Sequence, residues 1–149
     1  MYETILLATN GGVASEDAEA HAVDLAASVG ATLHVVYVVD EAVTTAYSGD
    51  EYVDGAEGPE HGLEEHGRDV LDSVRELAAD AGVEVVDEML YGGPAEAVVQ
   101  YADDEDADLL VLGTKRRPDE YRSLLGSVTD RVLRLTHRPL TVVKTDVEP

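Results

Sequence analysis

The chain alternates short apolar runs with longer segments of helical period, and this alternation limits the folds open to it more than any other feature. The runs are TILLAT (4–9), TLHVVYVV (32–39), VEVVDEML (83–90), LLVL (109–112) and LTVVK (140–144). Most are apolar at consecutive positions, so both faces of the strand must be buried, as in a parallel sheet. Between them, apolar residues recur three and four apart. Ala18, Ala22, Leu25, Ala26 and Val29 mark one helix, and Val70, Val74, Leu77, Ala78 and Ala81 a second over about 63–80. Ala97, Val98, Tyr101 and Ala102 mark a third, and Val128, Val132, Leu133 and Leu135 a fourth over about 127–136. Five strands alternating with four helices predict an open parallel α/β sheet in the order 3-2-1-4-5 with helices on both faces. The chain of 149 residues reads as one domain, 1–149.

Turn chemistry punctuates the pattern. Asn10-Gly11-Gly12 makes a tight turn, and Ser15 is the expected N-cap of the first helix. Gly30 and Gly82 suit helix C-termini, and Pro94 suits the first turn of the third helix. Ser127 with Asp130 resembles a capping box. The acids in strand 83–90 suggest a sheet edge. Residues 42–61 have no period and read as a long acidic loop, in which Tyr47 and Tyr52 either cover a ligand or pin the loop to the surface.

The charge is extreme and uneven. Residues 1–114 hold 27 acids and 2 bases, whereas 115–149 hold 5 acids and 8 bases, for a net of −22. A surface this acidic repels itself in dilute salt and is screened in concentrated salt, so the composition predicts a halophilic protein. It also disfavours nucleic acid as a partner. No cysteine is present, which excludes disulfides and thiol chemistry. No apolar stretch reaches the length of a membrane span and the start is strand-like, so a cytoplasmic location without membrane contact is expected.

The exception to the acidity is Lys115, Arg116, Arg117 and Arg122, between the fourth strand and Gly126-Ser127. It reads either as a balance for neighbouring carboxylates or as an anion site, since the helix opening at Ser127 would offer free N–H groups and a favourable dipole. In a sheet of this order the first and fourth strands flank the ligand crevice, so the turn at Asn10 would face the loop after Gly113.

Three stretches carry a family resemblance: ILLATNGG, GGPAEAVVQYA through ADLLVLGT, and LLGSVTDRVLRLTHRPLTVVK. The chain resembles the universal stress proteins over essentially its whole length. Their nucleotide-binding branch carries Gly, two residues, Gly, nine residues, Gly, then Ser or Thr. Gly113, Gly126 and Ser127 stand at that spacing, with Arg116 at the second glycine position. The resemblance implies a Rossmann-like domain of the adenine nucleotide alpha hydrolase type, binding ATP with Mg²⁺ as a stress-response regulator.

It also implies roles for matching positions. Ala8, Thr9 and Asn10 would approach adenine and ribose, and Val38 would offer backbone groups to the base. Leu112 and Gly113 would lie along ribose and phosphates. Gly126, Ser127, Val128 and Thr129 would hold phosphate. Leu140, Thr141, Val142, Val143 and Lys144 would pair with a second copy in a two-fold homodimer.

Two positions depart from the family pattern: Asn10 replaces an Asp, and Arg116 replaces a Gly that would permit positive φ. Arg116 either grips phosphate through its guanidinium or blocks the site. Blocking would leave a universal stress protein that acts through protein contacts alone. No P-loop, GxGxxG fingerprint, metal-spaced histidine set or nucleophile elbow is present. His21, His34, His61, His66 and His137 read as surface or structural. No catalytic or metal-binding residue is assigned, and at most slow ATP hydrolysis is expected.

Overall fold

In the computed structural model, residues 2–40, 59–116 and 126–146 are described. Five strands are present: β1 (Thr4–Ala8), β2 (Thr32–Asp40), β3 (Val85–Gly92), β4 (Leu109–Arg116) and β5 (Leu140–Asp146). The helices are α1 (Val13–Val29), α2 (Pro59–Asp80), α3 (Pro94–Asp104) and α4 (Ser127–Leu135). The sheet is parallel throughout, in the order β3-β2-β1-β4-β5.

Strand side chains alternate between two cores. Ile5, Leu7, Leu33, Val35, Tyr37, Leu109 and Val111 pack under α1 and α2. Leu6, Val36, Leu110 and Leu112 pack under α3 and α4 with Val98, Tyr101 and Val132. Every residue of Ile5-Leu6-Leu7 is fully buried because β1 lies mid-sheet, covered on both faces.

Several boundaries differ from the sequence reading. The helix expected from Leu63 begins at Pro59, so 59–61 leave the expected loop 42–61; residues 42–58, with Tyr47 and Tyr52, lie outside the described residues. Gly67 sits inside that helix because a Cβ there would lie 2.5 Å from Tyr37 Cδ1 and 2.8 Å from Met89 Cε. The absent side chain lets α2 lie close on β2 and β3.

Strand β4 does not end at Leu112. It continues through Lys115 and Arg116, paired with Thr145 and Asp146 of β5. Arg117 and Arg122 lie outside the described residues. On α4 only Thr129 and Val132 are buried, whereas Leu133 and Leu135, expected to face inward, are exposed. Val29 and Leu77 are likewise exposed.

Two polar clamps hold the sheet's N-terminal edge. Asp108 Oδ2 accepts the N–H groups of Glu3 (2.8 Å) and Thr4 (2.9 Å), tying the start of β1 to the start of β4. Arg138 donates to Asp103 (3.0 Å), Asp106 (3.1 Å) and the Ala107 carbonyl (2.7 Å). It thereby supplies a cation at the end of α3, whose own last turn has none.

The two backbone donors hold the Asp108 carboxyl below its ordinary pKa. A depressed carboxylate pKa stabilises the fold above the unfolded-state value of about 3.9 and loses that contribution as pH falls through the folded value. Asp108→Ala should therefore lower the unfolding midpoint by a constant amount at neutral pH. Its deficit against wild type should shrink only below about pH 4. Urea melts across pH would check this, and a deficit equally large in strong acid would exclude the linkage.

Candidate functional site

Strand order reverses between β1 and β4, since β1 leads outward to β2 and β4 leads outward to β5. The C-terminal ends of these strands therefore splay into a crevice. A cavity of about 290 Å³ occupies it, between the β1–α1 turn and the start of α4.

Of the nucleotide-site residues expected from the sequence, Ala8, Thr9, Asn10, Val38, Leu112, Gly113, Val128 and Thr129 line this cavity. Gly126 and Ser127 are not among its lining residues, and the side chain of Arg116 lies outside what the structure describes. Arg116 sits at the end of β4 in extended backbone, so the positive φ of a glycine at this position is not required here. Among the described residues the one non-glycine with positive φ is Asp106, at the far edge of the sheet. Gly126 is the N-cap of α4, and Ser127 is its first residue.

Sequence reasoning missed Ser15, Val36, Tyr37, Asp40, Leu63, Pro94 and Val98, which also line the cavity. Gly93 and Pro94 carried a usable signal. They start α3 directly after β3, and in a parallel sheet every helix after a strand begins at the same carboxyl edge. Ala8, Val36, Val38 and Leu112 from the sheet and Pro94 and Val98 from α3 make the cavity's apolar part.

The β1–α1 wall is closed on itself. Asn10 Oδ1 accepts the Gly12 N–H (2.8 Å) and the Ser15 hydroxyl (2.9 Å), while Ser15 Oγ accepts the Asn10 N–H (3.3 Å). Ser15 is therefore a bracing residue of the turn and not the expected N-cap, which is Gly12. The Thr9 hydroxyl donates to Glu19 Oε2 (2.6 Å) and accepts the Gly11 N–H (3.1 Å). Burial raises the Glu19 carboxyl pKa, although the Thr9 bond opposes the shift. From α2, His66 Nε2–H donates to the Asn10 carbonyl (3.0 Å), and its ring meets Tyr37 edge-on at 5.7 Å. On the far side of the sheet His34 bonds the Tyr101 hydroxyl (2.8 Å), so both histidines serve the fold.

The opposite wall is open. The Gly126 N–H is taken by Thr114 Oγ1 (3.1 Å), and the Thr129 hydroxyl donates to the Gly113 carbonyl (3.2 Å). These two bonds seat α4 on the end of β4. The capping box expected from Ser127 and Asp130 does not form: no side chain caps α4, and Asp130 instead pairs with Arg134 at 3.0 Å. The first helical N–H groups, those of Ser127, Val128 and Thr129, consequently have no partner among the described residues. Among the described residues no group of three His, Asp or Glu could hold a metal ion.

These features define a doubly wound α/β domain with a ligand-sized crevice at its switch point, apolar inside and with backbone donors at one end that no described residue takes up. The chain belongs to the universal stress protein family, which it matches over residues 1–144. It is 35% identical to universal stress protein MJ0531 of Methanocaldococcus jannaschii, over 97% of this chain and 83% of that relative. Its fold is similar to a universal stress family protein from Burkholderia pseudomallei, with TM-score 0.76, 28% identity and coverage of 95% and 96% of the two chains. Two further structures are similar in fold. One is a universal stress protein in complex with cAMP, with TM-score 0.64, 23% identity and coverage of 95% and 96%. The other is the Archaeoglobus fulgidus protein in complex with dAMP, with TM-score 0.68, 20% identity and coverage of 96% and 98%. No helix among the described residues is long and apolar enough to cross a membrane.

Proposed function

We propose that this universal stress protein binds an adenine nucleotide, ATP by the family pattern, in the crevice between β1 and β4. The observation that carries this reading is the asymmetry of the two walls. The β1–α1 turn consumes its own hydroxyls and most of its N–H groups, whereas α4 presents three N–H groups with no partner among the described residues, beside an apolar pocket. A ligand with a flat apolar end and an anionic end matches that arrangement, with phosphate at the start of α4, where the helix dipole favours it. The nucleotide complexes of the two fold neighbours are consistent with it.

Mg²⁺ would travel with the triphosphate, held mainly by phosphate oxygens and water, as such ions commonly are. In this reading the nucleotide acts as a bound signal and its turnover is at most slow. Calorimetric titration of Mg-ATP in concentrated potassium chloride tests the reading. Saturable binding of one nucleotide per chain is expected, and no heat and no competition by AMP or ADP would refute it. The concentrated salt meets the requirement that the −22 charge implies.

The sheet edge supports a two-fold assembly in this reading. β5 is an outer strand whose Leu140, Thr141, Val142 and Val143 are only half-buried in the single chain. Antiparallel pairing of Leu140–Lys144 with a second copy would satisfy that edge and give a two-fold dimer. Sedimentation in concentrated salt should report twice the chain mass, and a monomer at micromolar concentration would exclude the pairing.

A further inference from the structure

Asn10 Oδ1 already accepts two hydrogen bonds within its turn. The Gly12 N–H can only donate, so the side-chain oxygen, not the nitrogen, must face it. The Ser15 hydroxyl agrees, because its oxygen accepts the Asn10 N–H and its own proton is thereby directed to Asn10 Oδ1. This closed ring fixes the orientation of the amide. What remains is the Nδ2 group, which has no hydrogen-bond partner among the described residues and belongs to a side chain lining the cavity.

The neighbouring side chains are spent. The Thr9 hydroxyl lies between Glu19 and the Gly11 N–H, and the Ser15 hydroxyl belongs to the ring just described. The main-chain N–H groups of Thr9, Asn10, Gly11, Gly12 and Ser15 are all bonded internally. Among the described residues the amide NH₂ of Asn10 is therefore the one side-chain donor this wall retains for a ligand.

We infer that Asn10 is a specificity-determining residue of the crevice: its neutral NH₂ selects a ligand that presents a hydrogen-bond acceptor to the β1–α1 turn. This rests on the nucleotide reading above and narrows it. A carboxylate at the same position would keep both turn bonds through one oxygen and offer the ligand an acceptor through the other. It would thus reverse the polarity this wall requires of its ligand without disturbing the turn. A neutral donor also adds no charge repulsion toward phosphate in a chain that is already strongly acidic.

The experiment compares wild type with Asn10→Asp, using ATP and analogues that each lack one acceptor: 1-deaza, 3-deaza, 7-deaza, 2′-deoxy and 3′-deoxy. Unchanged melting temperatures would establish that the variant keeps its turn; if Asn10→Asp melts early, Asn10→Ser provides the second comparison. One analogue should bind wild type about tenfold more weakly than ATP, the loss of one hydrogen bond. The same analogue should show no such loss against the variant, whose carboxylate makes no bond to that acceptor. A uniform loss of affinity across the panel with its ranking unchanged is long-range repulsion and overturns the assignment, as does a variant indistinguishable from wild type. Wild type that binds no nucleotide at all overturns the nucleotide reading as well, so the two failures are told apart.

Discussion

Gly11→Ala should destabilise the protein by about 2–4 kcal/mol. Two costs combine. Gly11 has φ 78°, a left-handed conformation that costs an L-residue about 1 kcal/mol or more. A Cβ there would also lie 2.4 Å from Val70 Cγ2 and 3.0 Å from His66 Nε2. Val70 is buried and β-branched, so it cannot swing aside, and overpacking of this kind costs about 1–3 kcal/mol. For a domain of this size the sum corresponds to a drop of roughly 5–15 °C in melting temperature.

The double variant Gly11→Ala/Val70→Ala separates the two costs. Removing the Val70 methyl groups should make the Gly11 substitution cheaper there than in wild type, leaving the backbone cost behind. Equal penalties in the two backgrounds would show that α2 does not press on the turn. Because His66 ties α2 to the Asn10 carbonyl beside Gly11, Gly11→Ala should weaken nucleotide binding along with stability.

Ser127→Pro should do the reverse, leaving the fold intact while weakening nucleotide binding about 10–100-fold. Proline is favoured at the first position of a helix, where the N–H has no helical partner. The preceding Gly126, at φ −62° and ψ 158°, already has the extended geometry that a following proline demands. The substitution removes one N–H and one hydroxyl from the end of the crevice proposed to take phosphate. A hydrogen bond to a charged group contributes about 1.5–3 kcal/mol, which sets the expected range. Ser127→Ala removes the hydroxyl alone and should weaken binding less. Chemical denaturation beside calorimetry decides the matter, and a stable Ser127→Pro protein with wild-type affinity would remove the α4 N-terminus from the proposed phosphate site.

The architecture was legible because its signals are local and repeated. Ile5-Leu6-Leu7 and Leu109–Leu112 are apolar at every position, which suits a short strand covered on both faces. Errors arose where a neighbour supplied what the local pattern lacked. β4 outruns its apolar stretch because β5 offers a backbone ladder to Gly113, Thr114, Lys115 and Arg116, and ladder bonds do not depend on side-chain polarity. α2 tolerates Gly67 because close packing on Tyr37 and Met89 requires it. Leu133 and Leu135 fit a helical period yet lie exposed, since α4 buries only a narrow row, Thr129 and Val132, near the sheet's edge.

The crevice divides along the same line. By itself the sequence determined the order of strands and helices, and through it the switch point at which Asn10 and Gly113 converge. Those outcomes rest on periodicity and turn residues, which act over a few positions. Only the tertiary structure decided which polar groups the crevice keeps for a ligand. Asn10 pairs with Ser15, Thr9 with Glu19, Thr114 with Gly126, and His66 with the Asn10 carbonyl. A hydroxyl or amide can satisfy any partner that reaches it, so the chain's local pattern does not rank the choices. The packing of α1, α2 and α4 against the sheet does, by bringing one partner within hydrogen-bond distance of each.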